Sequence, residues 1–313
     1  MRLRTLGKTG IEVPELCLGT WGLSGDGYGP VDEEEQDQVI ERALALGITA
    51  FDTADAYGKG AMESRLGRWL APHPNAIVLT KVGTDRSATP PRKRFDAEHL
   101  RQAALASTER LARRIDVLLL HNPSDVALQK AHVPEVLNAL VDDGTIRTWG
   151  VSIGNAEVGK LAIERGAQVL ELAYNAFHPQ DLEGVLALAR EKQIGLVGRS
   201  VLAHGLLCGQ WPNTKRFPNG DHRRDRWTTD DFKKRISQLA ALRPSVVGDV
   251  SSMRAAALRY ALAQTALSSV VIGPRSAVQL DQLVRDAGKE PPYLSDDSKS
   301  ALERRLANVG IKP

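Results

Sequence analysis

Four side chains in the first half of the chain could share one proton-transfer chemistry. Asp52 and Tyr57 lie in FDTADAYGKG (51–60), Lys81 in LTKVG (79–83) and His121 in LLLHNP (118–123). A free phenol has a pKa of about 10 and is a poor proton donor at neutral pH. A neighbouring ammonium favours phenolate and lowers that value. A lysine buried for this purpose needs a counter-charge, which Asp52 offers. His121 could hydrogen-bond a carbonyl oxygen lying against Tyr57. Together the four make a tuned proton donor, suited to carbonyl reduction if hydride comes from elsewhere. Singly, each has a plainer explanation: packing for Tyr57, a surface strand end for Lys81, a satisfied core histidine for His121, a turn cap for Asp52.

The elements that must position them alternate along the chain. Short apolar runs predict strands at 15–21, 48–54, 76–82, 116–122, 148–153, 169–175, 195–201 and 268–274. Helical patterns fall between or after them, at 32–47, 61–71, 96–114, 133–143, 155–166, 181–192, 251–266 and 276–287. The first begins DEEE and ends at Gly47, as the helix dipole and a glycine stop favour. Nearly continuous apolar strand runs fit a parallel sheet covered on both faces. Eight strand–helix pairs predict an α/β fold of the (β/α)8 TIM-barrel type. The alternation in LRTLGKTGIEV (3–13) predicts an N-terminal β-hairpin plugging the barrel bottom, and 294–310 reads as an extra C-terminal helix. Residues 203–250 form a long excursion with a helix at 230–242, a length that suits a cover over a site.

In such a barrel the chemistry sits at the carboxyl ends of the strands. Asp52, Lys81 and His121 then occupy the rims of three consecutive strands, which favours function over coincidence. Other polar groups at the rims are Thr20, Trp21, Ser152, Glu171, Tyr174, Asn175, Arg199 and Ser200. Trp21, Tyr28, His204, Trp211 and Trp227 are candidates to line or cover a pocket.

Composition narrows the alternatives. The 313 residues carry a formal charge of +3, too little to imply nucleic acid. RKR (92–94) and DHRRDR (221–226) read as solvated loop charge. Cys17 and Cys208 show no pairing pattern, so a reducing cytoplasm is the expected location, and Cys17 reads as a small core residue. The N-terminus lacks the apolar region of a secretory signal, and no apolar run reaches the roughly 18 residues of a membrane span. The histidines show no metal-ligand spacing, so no metal is expected.

These motifs resemble the aldo-keto reductase superfamily over nearly the whole chain. LGKTGIEVPELCLGTWGL resembles its opening hairpin and first strand, FDTADAYGKGAMESRLGRWL its Asp-to-Tyr pattern, and LTKVG its lysine strand. IDVLLLHNP resembles the histidine strand, GTIRTWGVSIGN the Gly-Val-Ser segment, and SSVVIGPRSAVQLDQL the eighth strand with its cofactor-binding tail. The resemblance implies a single barrel domain spanning 1–313. It implies Tyr57 as general acid, Lys81 lowering the tyrosine pKa, Asp52 holding the lysine and His121 orienting the carbonyl. It also implies NADPH or NADP, rather than NADH, bound extended across the barrel mouth; no G-x-G-x-x-G is present.

By family position Ser152 would contact the nicotinamide amide, and Ser200 and Leu202 would lie by the pyrophosphate. Arg275 and Ser276 would bind the 2′-phosphate, with Gln279 and Gln282 near the adenine; Glu171 and Arg199 by the nicotinamide, with Thr20, Trp21 and Gly273, complete the implied cofactor contacts. Three positions depart from the family pattern. Ile153 stands where an Asn is common, Glu171 where a Gln is common, and Arg199 where an aromatic often stacks on nicotinamide, a place a planar guanidinium could take. SVLAHG (200–205) also replaces a more usual Pro-Leu pair. The implied activity is NADPH-dependent reduction of an aldehyde or ketone to the alcohol, on a small-molecule substrate with no nucleic-acid or membrane partner, by a monomer. The alternative is an NADPH-binding regulatory module with little turnover. A Schiff-base lysine at Lys81 is disfavoured by the nearby Asp52, which raises an amine's pKa.

Overall fold

A computed structural model describes residues 1–311. Eight parallel strands close into a barrel: β1 (Leu16–Gly19), β2 (Ala50–Asp52), β3 (Ile77–Val82), β4 (Ile115–His121), β5 (Ile146–Ser152), β6 (Val169–Ala173), β7 (Gly195–Arg199) and β8 (Ser269–Ile272). Sequential strands pair all the way round, and β8 closes on β1 with Val271 opposite Cys17. The helices that return the chain are α1 (Glu33–Ala45), α2 (Ala61–Leu70), α3 (Ala97–Leu111), α4 (His132–Asp142), α5 (Ala156–Glu164), α6 (Gln180–Glu191), α7 (Met253–Leu262) and α8 (Ala277–Ala287). This is the (β/α)8 fold predicted above.

Side chains alternate across a strand, so every second residue faces the barrel axis. The lower inward positions are apolar: Cys17, Ala50, Leu79, Val117, Leu119, Val169 and Val197 form one buried cluster. Leu6, Ile11 and Val13 join that cluster from the hairpin Leu3–Thr5/Glu12–Pro14, which stops the barrel's lower end. Its turn presses on β7. Gly7 has φ +55°, and a Cβ there would stand 2.3 Å from the Gly195 amide nitrogen. Two residues further up the same alternation come Asp52, Lys81, His121, Glu171 and Arg199. Thus one period-2 pattern sets an apolar floor below and polar groups above. The outward positions, such as Val78, Leu118, Leu120 and Val151, pack against the helices in a second, larger core.

Most elements are shorter than the sequence runs suggest, although β5 starts earlier, at Ile146. β7 ends at Arg199 because Ser200 turns left-handed, at φ +57°. In the excursion the helix is Thr229–Gln238, capped by the Thr228 hydroxyl; 3-10 turns at Leu239–Ala241 and Arg243–Ser245 replace the expected continuation. Pro244 stands in the second turn, and its ring and missing N–H oppose an α-helix reaching that far. A short helix not read from the sequence, Asp125–Gln129, follows β4 and is capped by Ser124. The C-terminal helix Asp296–Asn308 is present and packs on the excursion, where Arg305 Nε donates to the Ala241 carbonyl at 3.0 Å. Among the described residues no helix is long and apolar enough to cross a membrane.

Candidate active site

A cavity of about 980 Å³ opens at the carboxyl ends of the strands. Asp52, Tyr57, Lys81 and His121 all line it. Tyr57 reaches the mouth because the chain after β2 turns back sharply through left-handed Gly58 and Lys59. Its ring lies edge to face with His121, 6.0 Å between centroids at 84°. The Lys81 ammonium lies 5.5 Å from the Tyr57 ring centre, within cation–π range.

Lys81 is 1% exposed and Asp52 4% exposed, so a free charge there would be costly; they form a direct ion pair. Lys81 Nζ also donates to the Thr53 carbonyl at 3.1 Å. A second carboxylate, Glu171, stands 3.5 Å from the same ammonium. It is 1% exposed, and neither of its oxygens has a hydrogen-bond partner. The resemblance assigns Glu171 to the nicotinamide amide; the structure adds this close approach to Lys81, because the alternation from Val169 turns it inward.

The electrostatics differ from the expectation at one point. Burial pushes the Tyr57 phenol up, and Lys81, which lowers it, does not overcome that. Asp52 is raised to about 7, by burial first and Glu171 second, against the pull of Lys81. The two carboxylates hold Lys81 protonated in spite of its burial. Burial drives His121 well below the usual imidazole range, helped by Lys93, Lys81 and Arg199. Its ring is therefore neutral at physiological pH, with Nδ1 buried and unpartnered. A neutral ring can donate one N–H bond without carrying charge.

The cofactor positions divide. Trp21, Ser152, Glu171, Arg199, Ser200, Leu202, Gly273, Arg275, Gln279 and Gln282 line the cavity. Thr20 and Ser276 do not. Thr20 is buried and its hydroxyl donates to the Asp52 carbonyl at 3.0 Å. Ser276 caps α8, accepting from the Gln279 amide at 3.1 Å. Arg199 donates to the Ile153 carbonyl at 2.9 Å. Arg275 donates to the carbonyls of Gly29 and Pro30 at 3.0 and 2.8 Å, and Gln282 accepts from Arg254 at 2.9 Å. The first amide of α8, that of Ala277, is taken by Glu35 at 2.9 Å. The helix end assigned to a phosphate thus carries a carboxylate of the chain's own.

The cover forms where the excursion meets the loop after β1. Tyr28 bonds His204 Nδ1 at 3.1 Å, and the His222 amide donates to the Gly27 carbonyl at 2.8 Å. Trp21, Tyr28, His204, Trp211 and Trp227 all line the cavity, as anticipated. The reading of both basic clusters as solvated charge is corrected. Arg223 pairs with buried Asp221 and lies over the rings of Tyr28, Trp211 and Phe217. Lys93 and Arg226 line the cavity, and Lys93 donates to the His121 carbonyl at 2.7 Å. The rings around Arg223 come from outside the cluster, so a local charge run does not reveal them, although its acid partner Asp221 opens the same run. Arg254 and Glu35 were also missed, since each acts through a partner far away in sequence.

The chain is similar to known proteins. The profile of the Aldo/keto reductase family matches residues 15–300. The aldo-keto reductase YhdN of Bacillus subtilis is 29% identical over 300 residues, covering 92% of this chain and 89% of the relative. The aldo-keto reductase yakc of Schizosaccharomyces pombe, designated NADP(+), is 27% identical over 266 residues, 80% of this chain and 77% of its own. The solved glycerol dehydrogenase AKR11B4 of Gluconobacter oxydans superposes with a TM-score of 0.84 at 26% identity, covering 99% of this chain and 96% of that one.

Proposed function

Since this chain belongs to the aldo/keto reductase family and is an oxidoreductase, we propose that it reduces an aldehyde or ketone to the alcohol, with Tyr57 as proton donor and NADPH as cofactor. The whole of 1–313 acts as one reductase domain. The observation that carries this reading is the buried Lys81–Asp52 pair beside Tyr57 and His121 in one cavity.

The residues present fit a nicotinamide dinucleotide. The cavity runs from Tyr57 to Gln279 and Gln282 on α8, and its walls hold the unpartnered Glu171 oxygens and Arg275 Nε. Ser152 and Glu171 would hold the nicotinamide end, Ser200 and Leu202 the pyrophosphate, and Arg275 the adenosine end. When bound, the cofactor supplies hydride. Tyr57 gives its proton to the carbonyl oxygen, and neutral His121 donates an N–H bond to that oxygen. Lys81 stabilises the phenolate that remains, and Asp52 keeps Lys81 charged and in place. A phenol raised by burial suits a group that must stay protonated until substrate arrives.

Steady-state oxidation of NADPH with a panel of aldehydes, ketones and sugars tests the proposal. Substrate-dependent turnover supports it. Tight NADPH binding without turnover on any carbonyl would favour the regulatory alternative.

One observation favours a second reading of the cofactor. Glu35 of α1, bonded to the first amide of α8, would repel a 2′-phosphate there and could accept from a 2′-hydroxyl, so NADH is a competitor for the same cavity. Glu35→Gln is expected to tighten NADP binding about fivefold and to leave NAD within about twofold. Quenching of tryptophan fluorescence reads both dissociation constants directly. Equal changes for the two dinucleotides would remove Glu35 from the choice between them.

A further inference from the structure

Lys81 has one positive charge and two carboxylates against it. Asp52 pairs with it directly, and Glu171 Oε1 lies 3.5 Å away. All three are at most 4% exposed, and no donor bonds either oxygen of Glu171. A carboxylate so placed lacks both solvent and hydrogen bonds, and it shares its lysine with a like charge. Both conditions favour uptake of a proton by the pair. The surrounding elements do not supply the missing charge close at hand. β1 contributes the buried thiol of Cys17, β4 contributes neutral His121, and the loop after β2 contributes the Tyr57 phenol. From β7, Arg199 spends a donor on the Ile153 carbonyl.

We propose that Glu171 is a positioning residue: as a second acid on Lys81 it makes the Asp52–Lys81–Glu171 group retain one extra proton at neutral pH, a store from which Tyr57 is recharged after each turnover. The step balances. A carboxyl of the pair gives its proton to the lysine nitrogen as that nitrogen gives one to the phenolate. The carboxylate left behind regains a proton from water when the cavity reopens. The raised proton affinity of Asp52, with Glu171 among its causes, agrees with this geometry. The proposal rests on the reductase reading for its role, while the extra proton itself is a property of the chain alone.

The test is therefore made on protein without cofactor or substrate, by infrared titration of the carboxyl C=O band. Asp55 is also raised to about 7, so the series is built on Asp55→Asn. The parent should show one protonated carboxyl that titrates near neutrality. Glu171→Gln should move that midpoint down by at least about one pH unit, toward the ordinary carboxyl range. Should Glu171→Gln fail to fold, Asp52→Asn is read instead, and loss of one acid must again remove the near-neutral midpoint. An unmoved midpoint overturns the proposal, however active the enzyme. Absence of turnover with every carbonyl would instead refute the reductase reading and leave the titration to judge Glu171. In active enzyme, the pH profile of kcat should move in the same direction as the band, a shift that a merely structural role would not produce.

Discussion

Tyr57→Phe is expected to lower kcat for carbonyl reduction by about 10²–10⁴-fold, the usual share of a general acid. The substitution removes only the hydroxyl. The ring keeps its edge-to-face contact with His121 and its place near the Lys81 ammonium. The polypeptide should therefore stay folded and its affinity for the dinucleotide should change less than about threefold, roughly half a kcal/mol. Dissociation constants from fluorescence and single-turnover rates together read this out. A residual rate within a factor of a few of the parent would show that another group protonates the oxygen. His121 is a poor substitute, because burial and three nearby cations keep its ring neutral and it has no proton to spare.

Lys81→Met carries the larger structural penalty. The methionine fills much of the same space, yet it leaves Asp52 and Glu171 facing each other in a buried pocket with no cation between them. Breaking a buried pair by removing one partner typically costs about 3–5 kcal/mol. The sign with pH follows from the acids. Without the ammonium, Asp52, already raised by burial and by Glu171, binds its proton still more tightly in the folded chain than in the unfolded one. The folded state then binds more protons, and stability falls as pH rises through that raised value. The loss of Tm should be greatest above neutral pH and should shrink on acidification. Adding Asp52→Asn to Lys81→Met should recover part of it. A pH-independent deficit, or no recovery in the double variant, would mean that lost packing rather than stranded charge is responsible. Turnover should also fall, because the phenolate loses its nearest cation.

Much of this site was legible in the sequence, and the reason is geometric. Strand alternation is a rigid rule, so a polar residue two places beyond an inward apolar one must face the mouth. Asp52 after Ala50, Lys81 after Leu79 and His121 after Leu119 obey it. The same rule applied to Val169 places Glu171 inside the barrel, a reading that the family position alone did not give. What resisted prediction depends on distant partners. The grip of Glu35 on α8 joins residues 242 apart in sequence, and Arg223 is ordered by Tyr28 of the loop after β1 together with two rings of its own excursion. The end of β7 was also obscure, since Ser200 adopts a left-handed turn that its residue type does not announce. Local pattern specifies where a strand points; it says little about which loop side chains meet above it.

The stopper at the other end of the barrel has a consequence for the chemistry at the top. Leu6, Ile11 and Val13 are at most 1% exposed and share one cluster with Leu79, Val169 and Val197, each two residues before a charged group of the rim. The molecule is a cup rather than a pipe. Water can approach Lys81 and its two acids only from above, so a bound ligand corks the one remaining opening. The insulation that sets the proton affinities of Asp52 and Lys81 is thus shared between a few aliphatic side chains of the amino-terminal turn and the visiting ligand.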